Sequence, residues 1–317
     1  MKILTIIFWA VAALALIGLV IWFLTGTVFG IGQKGWSLGD RWQTISGPFE
    51  TAGTYNVAAD DMNSIYVNWV AGEISVIPYD GSEIQFTEYA RRELQDDEKL
   101  HYSSSGGTLT IRFTARDFTL LNLPEKKLEI LIPYTLSTNF DQFTVDTTSG
   151  GVSVENINAG TFKVDTVSGN VNLKNINSQT FEVDTTSGSI TISSANTDNI
   201  DINSTSGAIL LSDVSAKKLK GDTTSGSCDL SGSFDNVDID SVSGRISITS
   251  TIVPQSLRVD TTSGNITVTV PGNSTISVSH SSVSGKLSSD IPIITQGQSP
   301  QFRFSTVSGG VKIEALD

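Results

Sequence analysis

A short motif, Asp-Thr-Thr-Ser-Gly with small variations, recurs through the C-terminal half of the chain at nearly constant spacing. The glycines of its Ser-Gly pairs are Gly150, Gly169, Gly188, Gly207, Gly226, Gly244, Gly264, Gly285 and Gly309, and the first five are 19 residues apart. A repeat of this length is typical of solenoids, in which each coil buries its apolar face only against neighbouring coils. This periodicity restricts the fold more than any other feature of the 317-residue sequence.

Apolar residues alternate with polar ones on both sides of each Ser-Gly pair. We number the unit from Phe143 as position one, so that the serine occupies position seven and the glycine position eight. Position one is predicted to hold Phe143, Phe162, Phe181, Ile200, Leu219, Val237, Leu257, Ile276 and Phe302, and position three Val145, Val164, Val183, Ile202, Gly221, Ile239, Val259, Val278 and Phe304. Positions ten and twelve are also apolar, and a weaker apolar position follows at Ile157, Ile176, Ala195 and Val214. Period-two alternation marks strands with one inward face. The sequence therefore predicts an all-β fold, a β-solenoid with coils of about 19 residues.

A long apolar segment precedes the repeats. Residues 3–24 are uncharged and rich in Leu, Ile, Ala and Val, and a helix of that length spans about 33 Å, enough to cross a bilayer. Phe8, Trp9, Trp22 and Phe23 lie towards its ends, where interfacial anchors are expected. A cleaved signal peptide is the alternative, but its apolar region is usually shorter. We predict one N-terminal transmembrane helix, an anchor within residues 1–25 that contacts the lipid bilayer through residues 3–24.

The remainder of the chain divides into three predicted regions. Residues 26–53 contain several glycines and are predicted to form a juxtamembrane linker. Residues 54–136 are predicted to form irregular N-terminal coils and a cap, with Ala71-Gly72 in the place of Ser-Gly and a further copy around Ser105-Gly106. The charged run at residues 91–99 is interpreted as a solvated loop or a short helical excursion. Residues 137–317 are predicted to form the regular β-solenoid repeats.

Composition excludes several classes of function. The net charge of −13 disfavours nucleic acid as a partner. The single cysteine, Cys228, excludes an intrachain disulfide and stands in an inward column, so we expect a buried hydrophobe rather than a reactive thiol. Two histidines, His101 and His280, leave little material for metal sites or catalytic triads. We therefore predict no enzyme activity, no cofactor, and no catalytic, cofactor-binding or metal-site residues.

One polar column is a candidate site. Position four holds Asp146, Asp165, Asp184, Asn203, Asp222, Asp240 and Asp260. Such carboxylates can cap turns by accepting an amide hydrogen bond, or they can bind calcium. We favour turn capping, because Asn203 interrupts the column and the glycine-rich calcium nonapeptide is absent. The glycine that follows the serine is predicted to supply a positive φ at a tight turn.

A family resemblance is carried by residues 65–84, which contain Val67, Trp69, Ala71-Gly72 and Pro78-Tyr-Asp-Gly, and by the Asp-Thr-Thr-Ser-Gly units that follow. This pattern resembles the bacterial putative-adhesin family of β-strand-repeat proteins and looks like the toast-rack solenoid domains of envelope-stress proteins. The resemblance covers residues 54–317. It implies a surface-facing bacterial protein, and it brings no catalytic residues with it.

These observations together predict a membrane-anchored, extracytoplasmic β-repeat protein that serves binding, adhesion or scaffolding in the bacterial envelope. The expected location is the cell membrane, with the repeats outside the cytoplasm and a cell-wall polymer or surface protein as the partner. One alternative is a structural protein that forms homo-oligomers, because the last coil at residues 302–313 is expected to leave an open edge. Another is a regulator or sensor in an envelope-stress system.

Overall fold

The structure, a computed structural model, describes residues 48–114, 123–138, 140–294 and 300–316. They belong to a compact unit of residues 47–317. Regular structure in the described part is almost entirely β-strand, apart from the four-residue helix α1 (Tyr134–Ser137). The all-β prediction is confirmed. The predicted transmembrane segment at residues 3–24 lies outside the described residues, and none of the helices described is long and apolar enough to cross a bilayer.

The regular repeats form a stack of parallel strands, each displaced from the previous one by a coil. The strands are β8 (Phe140–Ser149), β9 (Val152–Ser168), β10 (Val171–Ser187), β11 (Ile190–Ser206), β12 (Ile209–Ser225) and β13 (Cys228–Ser243). Phe143 pairs with Phe162, and Phe162 with Phe181, so equivalent positions are neighbours. Each of β9 to β13 runs from position ten of one unit to position seven of the next. The predicted coil of 19 residues is confirmed by this register.

A bend within four of the long strands, β9 to β12, was not foreseen from the sequence. Asn156, Asn175, Ser194 and Asp213 have φ values between 54° and 57°, in the left-handed region. Asn and Asp tolerate this conformation better than most residues, and it turns the chain from the second side of the coil to the third. In β13 the bend residue is missing, so Gly232 pairs with Val214 after an irregularity in register. This deletion accounts for the single 18-residue step, between Gly226 and Gly244.

The core consists of the predicted apolar columns. Positions one and three are buried throughout the regular coils, and the weaker position at Ile157, Ile176, Ala195 and Val214 is buried as well. The rings of Phe143 and Phe162 stack with centroids 5.4 Å apart and an interplanar angle of 4°. Cys228 is 2% exposed, and burial raises the pKa of its thiol to about 11. Cys228 therefore behaves as the buried hydrophobe that the sequence predicted.

The C-terminal coils are not stacked in chain order. The strands after β13 are β14 (Ile246–Ser250), β15 (Ser256–Ser263), β16 (Ile266–Pro271), β17 (Ile276–Ser284), β18 (Leu287–Ser289), β19 (Ile293–Ile294), β20 (Gln301–Ser308) and β21 (Val311–Leu316). β20 lies between β15 and β17, and β21 lies between β16 and β18. The last coil of the chain is therefore an inner coil. The open edge predicted at residues 302–313 is wrong.

The outermost C-terminal coil also has a different register from the predicted one. Ser284 pairs with Ser308, so the Ser-Gly turn aligns these two coils. Position one of the outer coil is then Val278 rather than the predicted Ile276, and position three is His280 rather than Val278.

Apolar burial explains the exchange of the two last coils. Phe302 and Phe304 are each 1% exposed because a coil covers them on both sides. Val278 and His280 occupy the equivalent places in the outer coil, where one side lacks a neighbouring rung. Covering two phenylalanines instead of a valine and a histidine removes more apolar surface from water.

The N-terminal cap shows the same exchange. Its strands are β1 (Glu50–Ala58), β2 (Ser64–Ala71), β3 (Ile74–Tyr79), β4 (Glu83–Ala90), β5 (His101–Ser105), β6 (Thr108–Arg112) and β7 (Lys126–Pro133). β2 lies between β6 and β8, and β3 lies between β7 and β9. The first coil of the chain thus contacts the regular stack, and the second lies outside it. Antiparallel strands extend the outer coil, with β4 beside β7, β1 beside β4 and β5 beside β6.

The two glycine positions singled out in the cap have different roles. Gly72 stacks below Gly150, and its N–H donates to the Ser149 carbonyl at 3.1 Å. Ser105-Gly106 is instead the turn of the β5–β6 hairpin, so the repeat copy predicted there is wrong. Gly106 and Gly107 have φ values of 60° and 76°. Consecutive residues with positive φ form the tight turns that join antiparallel strands.

Close backbone approach is the reason for the glycine of the Ser-Gly pair. A Cβ added at Gly169, Gly207 or Gly226 would lie 1.9–2.0 Å from the carbonyl oxygen of the glycine one coil earlier. We call this column of stacked glycines the glycine corner. Within the column, φ is positive at Gly72 and, among the glycines for which it was predicted, only at Gly188, Gly244, Gly264 and Gly309. Lack of space for a side chain, rather than backbone conformation, is what the members share.

The glycine corner gives a direct mutational prediction. Gly207→Ala should lower the free energy of unfolding by about 2–3 kcal/mol, because the new Cβ forces adjacent coils apart. The measurement is denaturant unfolding of the full chain. Gly151→Ala is the matched control, since its Cβ would meet its nearest neighbour, the Asn170 carbonyl oxygen, at an ordinary 3.7 Å. Equal unfolding midpoints for the two variants would contradict this explanation.

Candidate functional site: the outward charge ladder

The aspartates of position four form a continuous column on the outer face of the first side of the coils. Asp146 pairs with Asp165, Asp165 with Asp184, and Asp184 with Asn203. The column continues through Asp222, Asp240 and Asp260. Side chains at position two point to the same face, because both positions alternate with the inward ones. We call these two columns together the charge ladder.

Three cations at position two, Lys163, Lys220 and Arg258, each bridge carboxylates from more than one coil. Lys163 Nζ lies 3.4 Å from both Asp165 and Glu182. Lys220 Nζ lies 3.0 Å from Asp201 and 2.9 Å from Asp222.

Arg258 makes the most extensive of these bridges. Its guanidinium contacts Asp238 at 2.6 Å, Asp240 at 3.3 Å and also Asp260. Coils that would repel one another through their aspartates are therefore joined by shared cations.

Neutral groups complete the ladder where no cation is present. Asn203 Nδ2 donates to Asp184 Oδ1 at 2.7 Å, and the Tyr66 hydroxyl donates to Asp146 Oδ2 at 2.6 Å. That hydrogen bond is the main reason that the pKa of Tyr66 is raised. Asn203 is thus a donor within the column and not an interruption. The turn-capping prediction is wrong, because the aspartates lie within strands and accept from side chains of neighbouring positions.

The electrostatics show how closely the charges are balanced. Partial burial works against the charge of Lys220, but hydrogen bonds to Asp222 and Asp201 prevail and raise its pKa to about 12. For Asp240 burial is the largest effect and raises its pKa; Arg258 opposes it, and the neighbouring aspartates reinforce it. Burial likewise raises the pKa of Asp165, against the attraction of Lys163. The ladder therefore keeps part of its self-repulsion.

Within the described ranges, no cluster of three or more His, Cys, Asp or Glu side chains is arranged to hold a metal ion. The carboxylates of the ladder share lysine, arginine, asparagine and tyrosine donors instead. These shared donors give the charge ladder a structural role, because they join successive coils.

A second outward feature lies at the bend of the coils. Asn175 Nδ2 donates to Asn156 Oδ1 at 2.8 Å, and Asn177 Nδ2 donates to Asn158 Oδ1 at 2.7 Å. The column of Asn156 and Asn175 continues with a hydrogen bond from the Ser194 hydroxyl to Asp213 at 3.2 Å. We call this the amide ladder. It presents regularly spaced hydrogen-bonding groups that the sequence analysis did not identify.

A buried ion pair in the N-terminal cap was also missed. Lys126 and Glu88 have fully buried side chains, with Nζ 2.6 Å from Oε1. Lys126 also donates to the Phe113 carbonyl at 2.6 Å, and its Nζ lies 4.0 Å from the Phe113 ring centroid. The Leu100 N–H donates to both Glu88 oxygens at 3.1 Å. Burial lowers the pKa of Lys126, opposed by Glu88.

This ion pair is structural, because it ties the charged loop to the cap. Part of the run at residues 91–99, predicted to be solvated, is held through Glu98, which accepts from Arg92 at 2.6 and 2.7 Å and whose carbonyl accepts from Lys126. The signal for it was present in the sequence. Lys126 lies on the same side of its strand as Leu128 and Ile130, and Glu88 lies on the same side as Phe86. Both charges therefore fall on inward positions and need a buried partner.

The bridging geometry predicts that the cations of the charge ladder contribute unequally to the free energy of unfolding. Arg258→Met should lower the free energy of unfolding by about 1 kcal/mol more than Lys163→Met, because Arg258 joins three carboxylates and Lys163 contacts two at longer range. Urea unfolding of the full chain at low and high salt measures this, and the difference should shrink as salt is added. Equal losses at low salt would show that bridging does not matter.

The raised pKa of Asp240 predicts a pH dependence. A raised folded-state pKa means that ionisation costs stability, which is lost as pH rises through that pKa. Asp240→Asn should therefore raise the free energy of unfolding at pH 7 by a few tenths to about 1 kcal/mol, and the gain should vanish at about pH 3. Asp238→Asn is the control and should have the opposite sign at pH 7, because it removes a 2.6 Å ion pair with Arg258. A destabilising Asp240→Asn at pH 7 would contradict the prediction.

Comparison with known proteins agrees with this architecture. A sequence model of the family described as Toastrack DUF4097 matches residues 62–314.

The crystal structure of a "putative adhesin" from Parabacteroides merdae is similar with a TM-score of 0.51 and 14% identity, covering 82% of this chain and 95% of that one. A "putative lipid binding protein" from Parabacteroides distasonis has a TM-score of 0.48 and 15% identity, covering 84% of this chain and 97% of that one. A second "putative adhesin", from Bacteroides fragilis, has a TM-score of 0.41 and 15% identity, over 85% of this chain and 98% of that one. No curated protein matches the chain. At these identities the likeness to the Parabacteroides merdae protein concerns the fold alone.

Proposed function

The chain belongs to the Toastrack DUF4097 family, and on that premise we propose that it is an extracytoplasmic module for adhesion, binding or scaffolding in the bacterial envelope. The observation that carries the proposal is the in-register repetition of outward polar columns, which extends from β8 to β13. A rigid array of equivalent groups suits a partner that is itself repetitive. Weak contacts then add along the array.

The amide ladder is the surface that we propose for this contact. Its asparagines are held in order by their mutual hydrogen bonds at 2.7 and 2.8 Å, so little side-chain entropy remains to be lost on binding. Asn156, Asn175 and Asn177 are exposed. The net charge of −13 disfavours an anionic polymer. The chemistry therefore favours an uncharged cell-wall polymer that carries hydroxyl and amide groups, such as a glycan strand.

Anchoring is the second part of the proposal. We propose that residues 3–24 anchor the repeats at the cell membrane, outside the cytoplasm. The uncharged apolar run of that segment supports it. The protein acts without catalysing a reaction. The name of the Parabacteroides merdae fold neighbour, a "putative adhesin", is in keeping with a binding role.

Self-association remains the second candidate, now through a different coil. Both edges of the coil at β20 and β21 are paired with other strands. The outermost coil carries Val283, which is 83% exposed. A homo-oligomer would bury this side chain. The third candidate, regulation of an envelope-stress system, would act through the anchor.

Co-sedimentation with purified bacterial sacculi tests the proposal. The full chain in detergent micelles should sediment with sacculi, and the variant Asn158→Ala/Asn177→Ala should lose at least about half of that binding, since it removes one hydrogen-bonded pair of the amide ladder. Asn172→Ala is the matched control: Asn172 is an exposed asparagine of the same coil that lies outside the ladder.

Two results would overturn this function. One is the absence of sedimentation with sacculi together with an empty pull-down from envelope extract. The other is equal binding by the ladder variant and the control, which would remove the amide ladder as the contact surface. Analytical ultracentrifugation of the same preparations measures the oligomeric state, and a concentration-dependent dimer that Val283→Ser abolishes would favour self-association.

A further inference from the structure

Every coil from β8 onwards carries a hydroxyl at position five, where the strand faces the interior. The residues are Thr147, Thr166, Thr185, Ser204, Thr223, Ser241, Thr261, Ser282 and Thr306. All of them except Ser282 are at most 8% exposed. We call this set the inner hydroxyl column. A valine has the same shape as threonine and avoids the cost of burying a hydroxyl, so apolar packing alone does not account for nine hydroxyls in nine coils.

The hydroxyl oxygens of this column have no hydrogen-bond partner within the described part of the chain. Each hydroxyl that is buried without a partner costs free energy. Summed over nine residues, that cost is comparable to the whole free energy of folding of a typical domain. The hydroxyls therefore need a partner that the protein itself does not supply.

The spacing identifies the partner. The residues of the column are register neighbours, as in Thr166 with Thr185 and Ser204 with Thr223, and parallel strands lie about 4.8 Å apart. At that separation the hydroxyls of this column make no direct hydrogen bond to one another. A water molecule about 2.8 Å from each of two successive oxygens would span it with an angle near 118°, close to tetrahedral. We propose that a file of ordered water molecules runs along the inner hydroxyl column, with one water between successive coils.

Backbone at one corner of the coil borders the inner hydroxyl column, and successive rungs border each proposed water. The hydroxyls lie beside the glycine corner, where backbone rather than side chain borders the column: a Cβ added at Gly150 would lie 3.2 Å from Thr147 Oγ1, and one at Gly285 would lie 2.9 Å from Ser282 Oγ. Each water gains a donor or acceptor from the rung on either side, which is the minimum that buried water requires.

The ends of the column also carry unpartnered polar groups. Trp69 pairs in register with Thr147, and its Nε1–H is buried with no acceptor among the described residues. An indole N–H can only donate, so a water at that end accepts from it. At the other end, His280 Nε2 and Ser282 Oγ are likewise buried and unpartnered. The file therefore begins at the N-terminal cap and ends in the outermost C-terminal coil.

The sign of the stability change in threonine-to-valine variants tests the proposed file of water molecules. If the hydroxyls bind bridging water, Thr185→Val and Thr223→Val in the full chain should each raise the unfolding equilibrium constant about tenfold, because each breaks the file. If the hydroxyls were merely buried and unpaired, both changes should stabilise the fold instead. Thr191→Val is the matched control, since Thr191 lies on the outer face of β11 and is half-buried, and it should change the constant less than about twofold.

Double variants and direct observation complete the test. Thr166→Val and Thr185→Val share one bridging water, so their combined effect should be smaller than the sum, whereas Thr166→Val and Thr261→Val should add. A crystal structure of the full chain at a resolution that shows ordered solvent decides the matter directly. Density for water between successive hydroxyls supports the file even where stability changes are small. A column without solvent, or inner valine variants that are more stable than wild type, would overturn it. This inference is independent of the proposed binding function.

Discussion

Contact between the backbones at the glycine corner is the constraint on which the whole stack depends. Each glycine approaches the carbonyl of the previous coil so closely that a Cβ would lie about 2 Å from it. The hydrogen-bonded rungs can reach their normal spacing only because no side chain stands there. Once that spacing is set, every other position of the unit becomes a column, which makes the aliphatic core, the charge ladder and the amide ladder consequences of one local contact.

Column formation places like charges beside one another, and the protein resolves this in two ways. On the outer face, Lys163, Lys220 and Arg258 each contact carboxylates of successive coils, and Asn203 supplies a neutral donor between them. These groups are partly hydrated, so the contacts mainly cancel repulsion. In the cap, the side chains of Lys126 and Glu88 are fully buried. A buried charge persists only when its partner and its hydrogen bonds are in place.

Both ends of the solenoid use the same arrangement of coils. The first and last coils of the chain lie second from the ends of the stack, and the coils adjacent to them in sequence are outermost. Each terminal coil thereby gains a neighbour on both sides. This arrangement protects apolar rungs that would otherwise present an open edge for pairing. It leaves the outward polar columns of the regular coils as the surface most suited to the proposed adhesive or scaffolding role.

The amino-acid sequence by itself determined the all-β class, the coil length, the inward columns and the place of the aspartates, because a strict repeat makes each coil a copy of its neighbour. The same alternation puts Lys126 and Glu88 on inward positions, although nothing in it identifies them as partners. Only the tertiary structure decided the order of the coils at the two ends, the register of Val278 and His280, the hairpin at Ser105-Gly106, the cations shared along the ladder and the orphaned inner hydroxyls. These features depend on which segments become neighbours in space, and a periodic pattern specifies what faces inward without specifying which rung lies next to which.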